Sequence, residues 1–480
     1  MKKTLALFVL AGLLLQPLWP QERFRKSPPV PEPLQELNLP EVNAFPLSNG
    51  LTLCVVSRKS LPIMNLQLIL YAGEIVSPDN LPGLATITAE MIGRGTPELS
   101  VEKIEERVEA LGGVLETSTS FEYSVFNLSF LESHFEQALE LLAQMILFPS
   151  FPERELTYLK MTEFYGLLEK NKDPENVAKR QLFRSLFQGH PFAKALFNED
   201  VFKNISRRDV LSFYQRYYRP NNALLVLAGN LEPQRASRRV SHYLQTWQKR
   251  EVPALAYQPL PAGETEAVCF VDHPGTKDAI LYLGRIIFPP NSPDIFPFLV
   301  LNQVLGGTPN SRLFMNLRET KGYAYFAFSE LEFSSTAGVF IIRARVRPNA
   351  LAAALQEISQ ELTRMSGEKI LTYEIEQAKS YVIGHYPLQI EPWDQFGFKA
   401  AQIKSFFNIG EDHWNQYYEN IAGVDADRVS EVAQKYLAAK PVTVVCGDRN
   451  TLARYLGELS RVDVYDQKGR FLYTMSKGEQ

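Results

Sequence analysis

The chain is poor in the side chains that bind transition metals or act as nucleophiles. Six histidines and three cysteines occur among 480 residues. No two histidines lie within five residues of each other, so none forms the local pair that one helix face presents to zinc. Their positions are His134, His190, His242, His273, His385 and His413. The cysteines, Cys54, Cys269 and Cys446, each lie in a strand-like apolar run, which predicts buried thiols rather than a disulfide framework.

The chain also lacks an excess of charge of one sign. Fifty basic residues against 54 acidic ones give a formal net charge of −4. A nucleic-acid or anionic-membrane partner would need a basic patch, so we expect neither.

The first residues form a separate signal. Lys2 and Lys3 precede an apolar run from Leu5 to Leu15, which is typical of a secretory signal and too short for an ordinary membrane span. We predict a signal peptide or uncleaved N-terminal anchor at 1–22 and a proline-rich spacer at 23–43. The protein is therefore expected to be exported, periplasmic or extracellular, and to touch a membrane only through this segment.

Motifs of other enzyme classes are missing. No G-x-S-x-G, paired C-x-x-C or dinucleotide fingerprint occurs, and Gly306-Gly307 is not followed by the G-K-[ST] of a phosphate loop. His190 is followed by proline and is interpreted as part of a structural turn.

Internal duplication is the strongest organisational signal. The triplet Ser77-Pro78-Asp79 recurs at residues 292–294, and Leu156-Thr157-Tyr158 recurs at 371–373, each 215 residues further on. Gly95-Thr96-Pro97 also recurs, at 307–309. Two copies of one unit are therefore predicted.

The duplication and composition together define the predicted domains. We predict a first half at 44–232, a linker at 233–263, a second half at 264–450 and a C-terminal tail at 451–480. The predicted fold class is α+β, with each half built of antiparallel sheets packed with helices.

The periodicity of the first half supports this fold class. Alternation predicts a strand from Asn65 to Tyr71 and a strand pair from Val114 to Phe130. Helices are predicted from Leu84 to Ile92, after the N-cap residue Ser100, and from Glu153 to Lys170.

Two long motifs resemble one protein family. The segment GLATITAEMIGRGT, from Gly83 to Thr96, is similar to the zinc-site helix of the pitrilysin/insulinase family, the inverzincins, which includes the mitochondrial processing peptidase. LNQVLGGTPNSRLFMNLRETKGYAY, from Leu301 to Tyr325, resembles the glycine-rich loop, arginine helix and tyrosine strand of that family.

The resemblance implies a zinc site that this chain has lost. The first histidine of H-x-x-E-H falls on Thr86, the general base on Ala89 and the second histidine on Glu90. The third ligand falls at or near Gly166, and Glu163 and Glu169 each lie three positions away. We therefore predict no metal and no catalytic residue in this chain. Zinc binding by Glu90 alone is the weaker alternative to a solvated or paired helix glutamate.

The resemblance also implies that Arg318 and Tyr325 bind the backbone of a substrate peptide. A guanidinium and a phenol can both donate to peptide carbonyls without reading side chains. The alternative is a surface arginine beside Glu319 and a core tyrosine. The predicted function is a noncatalytic, substrate-binding subunit of an exported heterodimeric zinc metallopeptidase that degrades or processes peptides.

The expected partners are a homologous subunit, which carries H-x-x-E-H and the zinc, and a peptide substrate. Two other functions stay open. One is a structural or assembly protein of the same fold without peptidase function. Core subunits of respiratory complexes in this superfamily are examples of such proteins. The other is an enzyme with an unrecognised site.

Overall fold

The computed structural model describes residues 41–58, 61–193, 199–254, 259–261, 268–390 and 416–477. The predicted signal segment at 1–22 lies outside the described residues, as does the spacer up to residue 40. The described residues all belong to one compact unit. Within them, no helix combines the length and the apolar character that a membrane crossing requires.

The strands of the first half form one mixed sheet. β4 alternates between exposed and partly buried side chains, as the polar and apolar alternation predicts, whereas β6 is buried throughout. The strands are β1 (Val42–Pro46), β2 (Thr52–Ser57), β3 (Ile63–Leu70), β4 (Val114–Thr119), β5 (Ser124–Leu131) and β6 (Ala223–Gly229). Their spatial order is β1-β2-β6-β3-β5-β4, in which only β2 and β6 are parallel neighbours.

The helices of the first half bury apolar faces against this sheet. The predicted cap of α2 is present, because the Ser100 hydroxyl accepts a hydrogen bond of 3.4 Å from the Lys103 amide. Ile104 and Val108, four residues apart, are buried on one face of that helix. The helices are α1 (Leu84–Ile92), α2 (Val101–Ala110), α3 (Phe135–Leu147), α4 (Glu153–Lys172), α5 (Pro174–Leu186), α6 (Arg207–Tyr217) and α7 (Pro233–Leu244).

The second half forms a second mixed sheet. Its strands are β7 (Val268–Asp272), β8 (Ala279–Ile287), β9 (Ala324–Phe333), β10 (Gly338–Val346), β11 (Val442–Gly447), β12 (Arg461–Tyr465) and β13 (Phe471–Ser476). The spatial order is β13-β12-β7-β11-β8-β10-β9, with β7 parallel to both β11 and β12.

The helices of the second half follow the same sequence of elements. They are α8 (Ile295–Asn302), α9 (Arg312–Phe314), α10 (Leu351–Gly367), α11 (Thr372–Ile390), α12 (Tyr417–Ala422), α13 (Ala426–Leu437) and α14 (Arg449–Leu456). The π-helical segments Gln303–Gly307 and Met315–Thr320 extend α8 and α9.

The strand order confirms that the chain consists of two homologous halves. β2-β6-β3-β5-β4 in the first sheet corresponds to β7-β11-β8-β10-β9 in the second. Each corresponding pair of neighbours also runs in the same relative direction. The predicted α+β class is confirmed. The sheets are mixed, because the connections that return along the helices bring β6 beside β2 and β11 beside β7 in parallel.

Two predicted boundaries need correction. The predicted linker at 233–263 begins with α7, whose Ala236, Val240 and Leu244 lie in the core of the first half. The predicted C-terminal tail at 451–480 contains most of α14 and the strands β12 and β13, which extend the second sheet. Helix α7 resembles a connection because it presents only one apolar stripe to the core, and β13 does so because most of its side chains are exposed.

Helix α5 joins the two halves. Its Val177 and Leu182 pack with Ile280 and Val444 on the face of the second sheet opposite the helices of that half. Gly284 on β8 permits this contact, because a Cβ atom there would lie 2.8 Å from Leu182 Cδ2. A helix of one half therefore completes the packing of the other.

Candidate functional site

Helix α1 begins without a capping side chain of its own. Its N-cap residue is Gly83, whose φ of 87° is left-handed and suits glycine. The carboxylate of Glu74, nine residues upstream, accepts hydrogen bonds of 2.9 Å from both the Gly83 amide and the Thr86 amide. It also accepts a hydrogen bond of 2.6 Å from the Thr86 hydroxyl. The Thr86 side chain, at the first histidine position, therefore belongs to a helix cap.

The other two zinc-helix positions differ in their environment. Ala89, at the position of the general base, is fully buried in the core of the first half. Glu90 is partly buried, and burial raises the pKa of its carboxyl above the ordinary value, with a further rise from Glu163 and a partial offset from Arg94. Glu90 is thus a carboxylate that the fold drives towards its protonated form.

Gly166 of α4, at or near which the resemblance places the third ligand, has no side chain. A Cβ atom on Gly166 would meet nothing within 4 Å. Of its two acidic neighbours, Glu163 is near enough to raise the pKa of Glu90. Burial raises the pKa of the Glu163 carboxyl itself, Lys170 opposes this rise and Glu74 adds to it. Glu169 instead forms an exposed ion pair with Lys172 at 2.5 Å.

These residues do not fit a zinc ion. The donor set consists of a threonine hydroxyl that already donates to Glu74, and of carboxylates, with no imidazole or thiolate. In the parts of the chain that the structure describes, no group of three or more histidine, cysteine, aspartate or glutamate side chains is arranged to hold a metal. The arrangement can accept hydrogen bonds and retain a proton, but it cannot activate water in the manner of a zinc peptidase.

A half-open cleft of about 310 Å³ lies beside Glu90. Its lining includes Arg94 from the end of α1, Glu105 and Glu109 from α2, and Thr117 from the edge strand β4. Arg94 also stands over the ring of Tyr158, an exposed residue of α4. The cleft that would adjoin the zinc is therefore retained as a polar, mixed-charge depression.

Arg318 lies on the second half, in the π-helical segment that extends α9. Its guanidinium stacks over the Phe314 ring, with Cζ 4.8 Å from the ring centroid, and its side chain is 49% exposed. Nε lies 3.6 Å from Glu319 Oε1, which is longer than a hydrogen bond. The aromatic ring thus orients the guanidinium while its donors stay available to solvent.

Tyr325 is 57% exposed on strand β9, so the alternative of a core tyrosine is wrong. The Arg345 guanidinium lies over its ring at 5.9 Å and is itself bonded to Asp278 at 2.8 Å. The Tyr323 amide donates to the carbonyl of Leu317 at 2.8 Å, which ties β9 to the segment that carries Arg318. Arg318 and Tyr325 consequently reach solvent from two adjoining elements.

His190 and the three cysteines, which were also considered from the sequence, are buried parts of the fold. His190 is buried in the turn after α5, where its Nδ1 lies 3.1 Å from the donating Phe192 amide. The three cysteines are buried in β2, β7 and β11. Glu74 was missed by sequence reasoning. The available signal was glycine rather than Ser, Thr, Asp or Asn at the N-cap position 83, which requires acceptors from elsewhere.

Comparisons with known proteins agree with this architecture. The sequence profile described as Insulinase (Peptidase family M16) matches residues 54–200, and the profile described as Peptidase M16 inactive domain matches 204–382. A curated relative, the uncharacterized zinc protease YmxG of Bacillus subtilis, is 22% identical over 351 residues, 73% of this chain and 85% of that protein. The non-peptidase homolog YmxG of Helicobacter pylori is 24% identical over 333 residues, 69% of this chain and 76% of the relative.

Solved structures share the fold. The peptidase M16 inactive domain from Pseudomonas fluorescens is similar with a TM-score of 0.76 and 23% identity, covering 85% of this chain and 98% of that one. The periplasmic protease PqqL from Escherichia coli gives a TM-score of 0.71 at 16% identity, covering 87% of this chain and 46% of that one. The two profiles describe one family, follow each other along the chain and together span more than half of it. The chain therefore belongs to peptidase family M16, the insulinase family.

Proposed function

We propose that this chain is the noncatalytic, peptide-binding subunit of an exported heterodimeric zinc peptidase. A homologous partner that carries H-x-x-E-H and zinc cleaves the peptide, and this chain holds the peptide through Arg318 and Tyr325. The observation that carries the proposal is the contrast between the two halves. The zinc-helix positions are occupied by a cap and a core alanine, whereas Arg318 and Tyr325 are both exposed.

The chemistry of the exposed pair suits a peptide backbone. A guanidinium that lies against Phe314 has its plane fixed, so its N–H groups can donate to carbonyl oxygens at a low entropic cost. The Tyr325 phenol adds one further donor. Neither group requires a particular substrate side chain, as expected of a subunit that binds varied peptides.

Strand β9 adds a second means of binding. It is the last strand of its sheet and pairs with β10 on one side. Its other edge can form main-chain hydrogen bonds to an extended peptide, with Tyr325 beside it. Edge-strand addition supports affinity without sequence specificity.

The comparisons support the noncatalytic part of the proposal. The second half matches the profile of an inactive domain, and one relative is named a non-peptidase homolog. The partner, the export and the peptide-binding role rest on the lost zinc ligands, on the sequence at 1–22 and on the exposed pair.

The test is reconstitution with a zinc-bearing partner. The full chain is co-expressed with an H-x-x-E-H protein encoded beside it, the complex is isolated, and cleavage of a quenched fluorogenic peptide is measured. We expect Arg318→Ala to lower kcat/KM by roughly tenfold or more, mainly through KM, because a binding contact is lost. Tyr325→Phe removes one hydroxyl and should lower kcat/KM by roughly fivefold.

The matched control is Arg238→Ala. Arg238 is an exposed arginine of α7 whose nearest carboxylate, on Glu232, is 4.0 Å away. Activity within about twofold of the wild type is expected for it. Failure to pair with any zinc-bearing relative, or full activity of Arg318→Ala, would favour the structural or assembly function.

A further inference from the structure

The turns of two equivalent hairpins meet between the halves. The β4–β5 turn spans 120–123, and the β9–β10 turn spans 334–337. Glu122 of the first turn is only 4% exposed, and its carboxylate accepts a hydrogen bond of 2.9 Å from the Ser335 amide and another from the Ser335 hydroxyl. This contact, the hairpin joint, fixes the two turns relative to each other.

A half-open cavity of about 350 Å³ lies between the hairpin joint and helix α5. Five phenylalanines contribute to its wall: Phe121, Phe183, Phe187, Phe192 and Phe333. Phe121 and Phe192 pack edge to face with ring centroids 4.6 Å apart, and Phe187 and Phe192 do so at 5.2 Å. The wall is thus a set of mutually packed rings that hold an apolar space open.

The charged side chains around this cavity already have partners. Lys179 forms an ion pair with Glu332, and both side chains are partly exposed. Arg180 donates to the side chain of Asn171, and Glu122 accepts from Ser335. A charged ligand would have to displace one of these contacts and bring its own charge against phenyl rings.

From this arrangement we infer that the hairpin-joint cavity binds a neutral, compact aromatic compound. Ligand pockets generally measure about 300–1,000 Å³ and are mainly apolar. A closed apolar cavity of about 150 Å³ accepts benzene. The half-open volume here is more than twice as large, so it has room for a two-ring compound of indole size. The packed phenyl rings recognise the flat apolar body, and a neutral ligand leaves the contacts of Lys179, Arg180 and Glu122 in place.

The site is distinct from the peptide-binding residues. Arg318 and Tyr325 do not line it. Its first hairpin is bonded to the segment that caps α1, through the Glu74 amide to the Ser120 carbonyl at 3.2 Å and the Ile75 amide to the Phe121 carbonyl at 2.8 Å. A bound ring would therefore contact the hairpin that supports α1, whether or not the chain binds peptides.

The experiment is a titration of the full chain with indole, followed by calorimetry and by saturation-transfer NMR. Indole-3-acetate serves as the charged analogue. We expect saturable binding of one indole per chain, with indole-3-acetate weaker by roughly tenfold. Phe183→Trp places a larger side chain in the cavity and should abolish indole binding. Phe121→Ala removes one wall and should weaken it roughly tenfold.

The matched control is Phe164→Ala. Phe164 is a partly buried phenylalanine of α4 that contacts Tyr165 and Lys203 and does not line the cavity. Its loss should leave indole affinity within about twofold. Thermal unfolding of each variant establishes that it is folded. If Phe183→Trp does not fold, Phe121→Ala decides the question.

Three results would overturn the inference. One is the lack of saturable indole binding by the wild-type chain. Another is unchanged indole affinity in folded Phe183→Trp or Phe121→Ala. The third is tighter binding of indole-3-acetate than of indole, which would show that the cavity recognises charge rather than an apolar ring.

Discussion

The Glu74 carboxylate should determine how stable helix α1 is. Glu74→Ala removes the acceptor of three hydrogen bonds, from the Gly83 amide, the Thr86 amide and the Thr86 hydroxyl. Loss of an N-cap acceptor typically costs about 1–2 kcal/mol, and loss of a negative charge at a helix N-terminus costs about 0.5 kcal/mol more. Relief of the repulsion between Glu74 and Glu163 offsets a few tenths. The expected net loss is about 2 kcal/mol.

Hydrogen exchange followed by mass spectrometry measures this effect locally. Amides of α1 should open with a free energy lower by about 2 kcal/mol, while those of α13 in the second half stay unchanged. A local readout avoids the assumption that 480 residues unfold in a single step. Thr86→Val removes the hydroxyl alone and should cost about 1 kcal/mol.

The control for charge is Glu98→Ala. Glu98 is an exposed glutamate in the turn after α1, so its loss should change α1 by less than about 0.5 kcal/mol. If Glu74→Ala changes α1 no more than Glu98→Ala does, the carboxylate is not what holds the start of this helix, and the explanation for Thr86 is refuted.

Three other predictions concern the positions around the former zinc site and the contact between the halves. The fold raises the pKa of Glu163 above its ordinary 4.5. Above the raised pKa, the ionised carboxylate therefore lowers the stability of the fold by the full amount. This loss disappears as the pH falls from the raised pKa to the ordinary pKa, because the carboxyl becomes protonated. Glu163→Gln should therefore stabilise the chain by about 0.5–1 kcal/mol near pH 8 and not near pH 3.5, while the exposed Glu169→Gln has little effect at either pH; equal thermal shifts for both would contradict this. Gly166→Ala should stabilise α4 by about 0.5–1 kcal/mol, since its Cβ enters open space, whereas Gly284→Ala should destabilise by about 1–3 kcal/mol through contact with Leu182; denaturant unfolding that shows the same sign for both would refute the packing argument. Metal analysis of the isolated chain after incubation with zinc should find less than about 0.1 zinc per chain. A stoichiometric zinc content would refute the conclusion that the residues at these positions do not fit zinc.

The sequence predicted the local elements well where periodicity and capping agree. Helix α1, the Ser100 cap of α2 and the β4–β5 pair all lie where alternation and turn residues place them. The duplication, detected from three short repeats, predicted two homologous halves, because equivalent segments with equivalent patterns must bury equivalent faces. The lost zinc ligands could also be identified from the sequence, since a donor set depends on residue type.

The predicted boundaries failed for a shared reason. Helix α7 buries a single apolar stripe, β12 buries only Val462 and Val464, and the apolar side chains of β13 are largely exposed, so none of the three has the pattern of a core element. Their place in a core or sheet depends on partners far along the chain, such as β7 beside β12. The parallel strand pairs in both sheets were not predicted for the same reason, because the pattern of a strand does not specify its partner.

The sequence by itself determined the residue types at positions 86, 89, 90 and 166, none of which is a histidine. Tertiary structure alone decided what those positions do instead. It brought the Glu74 carboxylate onto the start of α1, placed Glu163 near enough to raise the pKa of Glu90, and exposed Tyr325 on an edge strand. It also formed a half-open aromatic cavity beside two hairpins that are more than 200 residues apart in the chain. Such contacts arise from packing between distant segments, and local propensity and periodicity contain no information about them.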